Sequence, residues 1–139
     1  MQRIIFLWVL VLACSHAKGQ GRLSLTITNI KAKQGVVSVA LFTNASDYLK
    51  KPAFTKSIPA SDSKVIVAFE ALPRGTYAIS VMHDTNNNGK LDTNFMGIPK
   101  EGFAFGNNAT GMMGPASFEK ASIIIESGDV QQAIALKHY

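Results

Sequence analysis

The chain has 139 residues, a formal net charge of +5 and a single cysteine. This length accommodates one compact domain and excludes a second one of ordinary size. The basic residues are scattered, with only Lys50 and Lys51 adjacent, so we expect no nucleic-acid-binding surface. One cysteine excludes an intramolecular disulfide framework.

The N-terminal segment is typical of a secretory signal peptide. Arg3 precedes an unbroken apolar run from Ile4 to Ala13. A bilayer span takes roughly 20 apolar residues, so this run is too short to be a mature transmembrane helix. No second run of this kind follows, and we expect no transmembrane segment.

Processing of this leader has two interpretations. Cleavage before Gln20 makes residues 1–19 the signal peptide and residues 20–139 a single mature domain, with 12 basic and 9 acidic side chains. Acylation of Cys14, which follows Val11-Leu12-Ala13, is the alternative and gives a lipoprotein. In the first case the protein is secreted or periplasmic, and in the second it is anchored to a membrane.

From Arg22 onward, apolar and polar residues alternate with period two, which is typical of strands with one buried face. Turn residues predict hairpins between the first two strands, at Gly35, and between the last two, at Gly128. One helical turn is expected at 46–50, before Pro52. Six to seven short strands predict an all-β fold, an antiparallel β-sandwich. The predicted strands are 22–28, 36–42, 64–70, 76–82, 122–126 and 130–137, with a weaker one at 54–58.

The segment from Phe95 to Phe118 breaks the alternation and is longer than most connections. Its aromatic and methionine side chains are interspersed with glycines, which predicts a long ordered Gly/Phe-rich flap rather than a disordered linker. Two interpretations stay open. Either the aromatic residues plug an open end of the core, or Phe103 and Phe105 line a groove for a glycan or another small ligand.

Between the strands and the flap lies the clearest chemical signal, a run of oxygen-bearing side chains around Gly89. Calcium loops supply ligands from alternate positions around a glycine. The candidate ligands are Asp84, Asn86 and Asn88 at positions one, three and five, the Lys90 carbonyl at seven and Asp92 at nine.

The match to an EF-hand then ends. Position twelve holds Phe95 instead of a bidentate glutamate, and the loop follows a strand. Glu101 or Glu119 would complete the shell from the flap. Two charged ligands predict weak binding, with a Kd of about 10⁻⁴ to 10⁻³ M. The alternative is a turn without an ion, whose Asn and Asp side chains bind their own backbone.

His83 has the parity of the inward residues Ile79 and Val81, so we expect a buried, hydrogen-bonded histidine. The sequence contains no nucleophile elbow, zinc motif or phosphate loop. We therefore expect no catalytic residues and no enzyme. A hydrolase that uses His83 and Asp84 is a minor alternative.

Longer motifs surround the loop, and the resemblance that they carry spans nearly all of the mature chain. They are residues 69–79 (FEALPRGTYAI), His83-Asp84, 88–95 (NGKLDTNF), 97–103 (GIPKEGF), 107–109 (NNA) and 114–119 (GPASFE). In these motifs the chain resembles the secreted bacterial family catalogued as domain of unknown function 2141. The resemblance implies a prealbumin-like or immunoglobulin-like sandwich in which loop and flap act together, and it implies no reaction. Met112-Met113 departs from the basic or aromatic residues that are frequent there.

These observations predict a secreted or periplasmic, non-enzymatic β-sandwich module, stabilised by calcium through residues 84–92. A module that binds a glycan or small ligand through the flap is the alternative. The only partner that the sequence suggests is a cell-envelope or glycan ligand, and the only candidate cofactor is calcium.

Overall fold

The computed structural model describes residues 19–139, which form two packed β-sheets. The predicted signal peptide and Cys14 lie outside this part of the chain. The elements are β1 Gln20–Thr28, β2 Val36–Phe42, β3 Phe54–Pro59, β4 Val65–Pro73, β5 Gly75–Asp84, β6 Phe103–Phe105, a 3₁₀ turn at Gly106–Asn108, α1 Phe118–Ala121, β7 Ser122–Ile125 and β8 Gly128–Ala135.

The sheets have three and five strands. The smaller sheet has the order β4-β1-β8, and the larger has the order β3-β2-β5-β6, with β7 also paired with β5. All neighbours are antiparallel except β1 and β8, which run parallel. The all-β sandwich is therefore confirmed. It has eight strands rather than six or seven, because β6 forms within the flap.

Both predicted hairpins are wrong. β1 pairs with β4 and β8, whereas β2 pairs with β3 and β5. At the C-terminal end, β7 joins the larger sheet and β8 the smaller one. These connections cross between the sheets. Alternation cannot distinguish a crossing from a hairpin, because either arrangement buries the same face of each strand.

Two short segments also differ from the prediction. Residues 46–50 form hydrogen-bonded turns instead of a helix, and Asn44 Oδ1 accepts from the Asp47 N–H at 2.9 Å. The four-residue helix α1 begins after Ser117, whose hydroxyl accepts from the Lys120 N–H at 3.3 Å. Such a short helix leaves no periodic signal in the sequence.

The main core lies between the two sheets and contains the residues that alternation assigned to the inward faces. Each such aliphatic side chain stabilises the fold by about 1.5–3 kcal/mol relative to an exposed position. The members with at most 1% exposure include Leu23, Leu25, Ile27, Val37, Val39, Leu41, Val67, Ile79 and Val81.

A second hydrophobic cluster lies on the outer face of the larger sheet. Phe42 pairs with Ala78 across β2 and β5, on the side opposite Leu41 and Ile79, and Phe105 of the flap packs there. Tyr48 contacts Phe42 edge-on at 5.4 Å between ring centroids, and its hydroxyl donates to the Ala116 carbonyl at 2.9 Å. The flap thus covers an outer sheet face, and the expectation that its aromatic residues plug an open end of the core is wrong.

The flap is also attached to the smaller sheet, through Asn108. Its Nδ2 donates to the Ala133 carbonyl at 3.0 Å, and its Oδ1 accepts from the Ala135 N–H at 2.9 Å. Beside it, the Asn107 N–H donates to Gln132 Oε1 at 3.0 Å. One side chain therefore pairs with the free edge of β8 as a neighbouring strand would.

Gly35 allows the turn before β2 to pass close to the end of β5. Its φ is +71°, and a Cβ there would collide with the Asp84 carbonyl oxygen and the Thr85 backbone. The neighbouring Gln34 carbonyl is thereby brought within 2.8 Å of His83 Nε2. Backbone and space both require glycine at this position.

We expect Gly35→Ala to lower the free energy of unfolding by more than about 1 kcal/mol, since it adds backbone strain and a collision with backbone atoms. Gly114→Ala is the matched control, because a Cβ there meets nothing within 4 Å and its φ is not positive. The control should change stability by less than about 0.5 kcal/mol. Denaturant titration measures the free energy of unfolding of both variants. Equal stability of the two variants would contradict the requirement for glycine at position 35.

Candidate functional site

The candidate calcium loop begins where β5 ends. Alternation along β5 turns His83 toward the core and Asp84 toward the outer face, where Asp84 is only 2% exposed. The carboxylate is buried because it caps the loop. Its Oδ1 accepts from the Asn88 N–H at 3.1 Å, and its Oδ2 accepts from the Gly89 N–H at 2.8 Å.

The next alternate side chains repeat this pattern. Asn86 Oδ1 accepts from the Asn88 N–H at 3.2 Å, and Asn88 Oδ1 accepts from the Lys90 N–H at 3.1 Å. Asn87 and Gly89 have φ values of +57° and +80°, which tighten the bend. The oxygens of Asp84, Asn86 and Asn88 thus bond to amides of the same short segment, with a spacing of two residues.

Asp92 closes the loop opposite these residues. Its Oδ2 accepts from Asn86 Nδ2 at 2.6 Å and its Oδ1 from Asn88 Nδ2 at 2.8 Å. These two hydrogen bonds, with smaller contributions from Lys100 and Lys90, lower the pKa of Asp92 below its ordinary value of 3.8. The loop therefore brings together four predicted ligand residues: Asp84, Asn86, Asn88 and Asp92.

Glu101 joins the loop to the flap. Its carboxylate is 6% exposed, and Oε1 accepts from both the N–H and the hydroxyl of Thr85, at 2.9 and 2.8 Å. Oε2 accepts from the Asp92 N–H at 3.0 Å. Glu101 thus holds both ends of the loop through hydrogen bonds. Glu119, the other residue considered for the shell, lies in α1 and is exposed.

The donor chemistry of this loop suits a hard cation. Within residues 19–139, no group of three or more His, Cys, Asp or Glu side chains is placed to hold a metal. Any ion here would depend on the amide oxygens of Asn86 and Asn88 in addition to the two carboxylates. Oxygen-only donors are preferred by calcium rather than by metals that bind nitrogen or sulfur.

His83 is buried, as predicted. It is 1% exposed, and its Nε2 lies 2.8 Å from the Gln34 carbonyl oxygen, so this nitrogen carries the proton and donates it. Asp84 points to the opposite face of the sheet and is itself bonded to the loop backbone. A substrate cannot reach His83 in this arrangement, and the geometry gives no support to a hydrolytic His83-Asp84 pair.

The flap aromatic residues that we considered for ligand binding are largely covered. Phe105 is 8% exposed, within the second cluster. Phe103 is half-buried and lies between the rings of Phe105 and Tyr139, at 6.0 and 5.7 Å. An open groove on the same sheet face is lined by serines such as Ser38 and Ser80 together with larger side chains such as Leu49 and Met82, and neither Phe103 nor Phe105 is among its lining residues.

The sequence interpretation missed two supporting residues, Thr85 and Asn94. Thr85 supplies two of the donors to Glu101. Asn94 Oδ1 accepts from the Met96 and Ile98 N–H groups at 2.9 and 3.0 Å. The turn at Asn94 was predictable, because an Asn three residues before a glycine is typical of a turn. Nothing near Thr85 in the sequence indicates that its partner is Glu101.

We expect Glu101→Gln to lower the free energy of unfolding by at least about 2 kcal/mol, because hydrogen bonds to a charged acceptor contribute about 1.5–3 kcal/mol each. A glutamine side chain has one acceptor oxygen, whereas the donors to Glu101 use both oxygens of its carboxylate. Glu119→Gln, at an exposed carboxylate, is the control and should stay within about 0.5 kcal/mol. Equal effects in denaturant titrations would show that Glu101 does not hold the loop.

The pKa of Asp92 should be measurably depressed in the folded protein. A carboxylate of this kind adds stability above its unfolded pKa, and that stability is lost as pH falls from about 3.8 through the folded pKa. Asn88→Ala removes the largest cause and should raise the Asp92 pKa. Lys90→Gln should move it less, since the Lys90 charge is the smallest of the causes and is screened by solvent. The Asp92 pKa of each variant is measured by NMR, from the carboxyl chemical shift followed against pH. An unchanged Asp92 pKa in Asn88→Ala would show that the hydrogen bond from Asn88 does not lower it.

No helix within residues 19–139 has the length and apolarity that a membrane span needs. Searches of curated proteins and of solved structures gave no match. Residues 25–133 match the family described as uncharacterized protein conserved in bacteria (DUF2141). The match covers both sheets, the loop and the flap, and it confirms the resemblance carried by the sequence motifs. The chain is a member of this bacterial family.

Proposed function

We propose that the protein is a non-enzymatic module of the secreted or periplasmic space, in which calcium held by residues 84–92 stiffens the junction between loop and flap. The observation that carries the proposal is the orientation of Asp84, Asn86 and Asn88. Each uses a side-chain oxygen to hold the backbone of one tight bend. This spacing is the one that calcium loops use.

The donor count fits a weak site. Asp84, Asn86, Asn88, the Lys90 carbonyl and Asp92 offer five oxygen-bearing groups, and calcium takes six to eight oxygens, so water would supply the rest. Asp92 now accepts from Asn86 and Asn88, and an ion would have to replace these hydrogen bonds. That exchange favours a Kd of about 10⁻⁴ to 10⁻³ M, the range of extracellular modules.

Weak affinity for calcium also agrees with export of the protein by the predicted signal peptide. A site of this strength fills only where free calcium is abundant, which is outside the cytoplasm. The predicted signal peptide would deliver the protein there. The role of the ion in this proposal is structural, because the contacts from the loop lead to Glu101 and the flap rather than to a group that performs chemistry.

The test is a thermal and calorimetric titration with calcium. For a Kd of about 10⁻⁴ M, about 10 mM calcium should stabilise the fold by about 2.7 kcal/mol. Asp92→Asn keeps the side-chain size but removes one ligand charge, and it should abolish most of this gain. Asp129→Asn, at an exposed carboxylate in β8, is the matched control and should retain it.

Magnesium at the same concentration controls for ionic strength, and a chelator gives the ion-free reference. A melting temperature that does not respond to calcium, together with no heat of binding, would remove the ion from the function. An equal gain in magnesium would show a nonspecific salt effect and would also overturn the proposal.

A further inference from the structure

Asn88 and Gly89 form the only Asn-Gly pair of the chain. Such a pair is chemically labile, because the backbone nitrogen of the second residue can attack the asparagine carboxamide, and glycine has no Cβ to obstruct the approach. Both residues are exposed, and the space around Gly89 is open, since a Cβ there would meet nothing within 4 Å. The reacting atoms are therefore accessible to water, and the loop has room to change its shape.

The hydrogen bonds of the loop bring the reacting groups together. Asn88 Oδ1 accepts from the Lys90 N–H at 3.1 Å, which folds the carboxamide back along its own backbone, beside the Gly89 nitrogen. The Gly89 N–H donates to Asp84 Oδ2 at 2.8 Å, and this charged acceptor draws the proton away from the nitrogen. Attack on Cγ places negative charge on Oδ1, where the Lys90 N–H is already positioned to stabilise it.

We propose that Asn88 is a site of spontaneous deamidation and that its conversion releases the bend from Asp84. The Gly89 nitrogen forms a bond to Asn88 Cγ, and the bond between Cγ and Nδ2 breaks. The side-chain nitrogen leaves as ammonia, together with the proton that Gly89 loses. Water then opens the succinimide ring. Attack of water at Cγ gives aspartate, and attack at the backbone carbonyl of residue 88 gives isoaspartate, in which the chain continues through Cγ.

Both products change the contact with Asp92. They lack the Nδ2 group of Asn88, which donates to Asp92 Oδ1 at 2.8 Å. In the aspartate product a carboxylate takes the place of this donor. Two like charges then face each other, which is unfavourable unless a cation lies between them. Deamidation therefore removes one of the two hydrogen bonds that link Asp92 to the bend.

Isoaspartate also changes the backbone that Asp84 holds. The two oxygens of Asp84 accept from consecutive N–H groups, that of Asn88 at 3.1 Å and that of Gly89 at 2.8 Å. Isoaspartate adds one carbon to the backbone between these two groups, so a single carboxylate no longer meets both in this geometry. The bend then opens between Thr85 and Asp92, the two residues that Glu101 binds.

The conversion acts as a slow and irreversible change in the stiffness of the junction between loop and flap. Its only co-reactant is water, and it needs neither an enzyme nor an ion. It therefore goes beyond the structural role proposed for calcium and does not depend on it. All of its tests are done in chelator, so that their results are separate from those of the calcium titration.

The first test identifies the site. The protein is aged at neutral pH, and the conversion of each asparagine is followed by mass spectrometry of its peptides. Asn88 should convert at least about tenfold faster than Asn86 and Asn87, since obstructed or misplaced reacting groups lose rate in powers of ten. These two are matched internal controls, because they lie exposed in the same loop but precede an asparagine. In Asn88→Gln, position 88 should stay unconverted over the same period, because the longer side chain would have to close a larger ring.

The second test measures release of the bend. The isoaspartate fraction of the aged protein is separated by chromatography, and amide hydrogen exchange is compared with that of fresh protein. The Gly89 N–H should exchange at least about tenfold faster, as expected for the loss of a hydrogen bond to a charged acceptor. Asn88→Asp reproduces the aspartate product and should lower the melting temperature. Asn87→Asp adds the same charge at the neighbouring exposed residue and, as the matched control, should lower it less.

Two outcomes would overturn the proposal. Equal rates of conversion at residues 86, 87 and 88 would show that the Asn-Gly pair is not a preferred site. Conversion of Asn88 that leaves the exchange of the Gly89 N–H unchanged would show that the bend stays attached to Asp84.

Discussion

The buried carboxylate of Glu101 is the interaction on which the loop and the flap both depend. A charged group that leaves water needs full hydrogen bonding to be tolerated, and Glu101 receives it from Thr85 and Asp92. These donors stand at the two ends of the loop. The next residue, Gly102, accepts from the His83 N–H at 2.7 Å, and the chain then enters β6. Glu101 therefore fixes the chain at the point where it approaches β6.

The position of Glu101 also explains how the loop differs from an EF-hand. An EF-hand closes its ring with a glutamate at position twelve, where it is a bidentate ligand. Here that position is Phe95, which is 98% exposed, and the glutamate comes from farther along the chain. Both oxygens of Glu101 accept from the protein. The closure is thus built from hydrogen bonds between protein groups, and an ion would bind to a bend that is already held.

The strands were predictable where one sheet face is buried. Leu23, Val37 and Val67 follow the alternation, and each lies in the core. The pairing was not predictable, because alternation identifies the buried face and not the neighbouring strand. β6 was hidden for a different reason. Its three residues lie among glycines, and it is ordered by pairing with β5 across a distance in sequence of more than twenty residues.

In the site, too, contacts between residues close in sequence were predictable, and contacts between distant residues were not. The bonds that link Asp84, Asn86 and Asn88 to the loop backbone span at most five residues, so their spacing in the sequence was sufficient to predict the bend. The bonds of Glu101 span 16 and 9 residues. Its burial depends on where β6 lies, which only the assembled sheet determines. The turn at Asn94, in contrast, depends only on residues near it in the sequence, so it was predictable.

Asn108 has a consequence for the behaviour of the protein at high concentration. An unpaired outer strand is a template on which other chains can add, and proteins protect such strands to avoid fibrous aggregates. By occupying one carbonyl and one N–H of β8, the Asn108 amide removes two adjacent docking points from that strand. The attachment of the flap therefore also works against uncontrolled polymerisation along this edge.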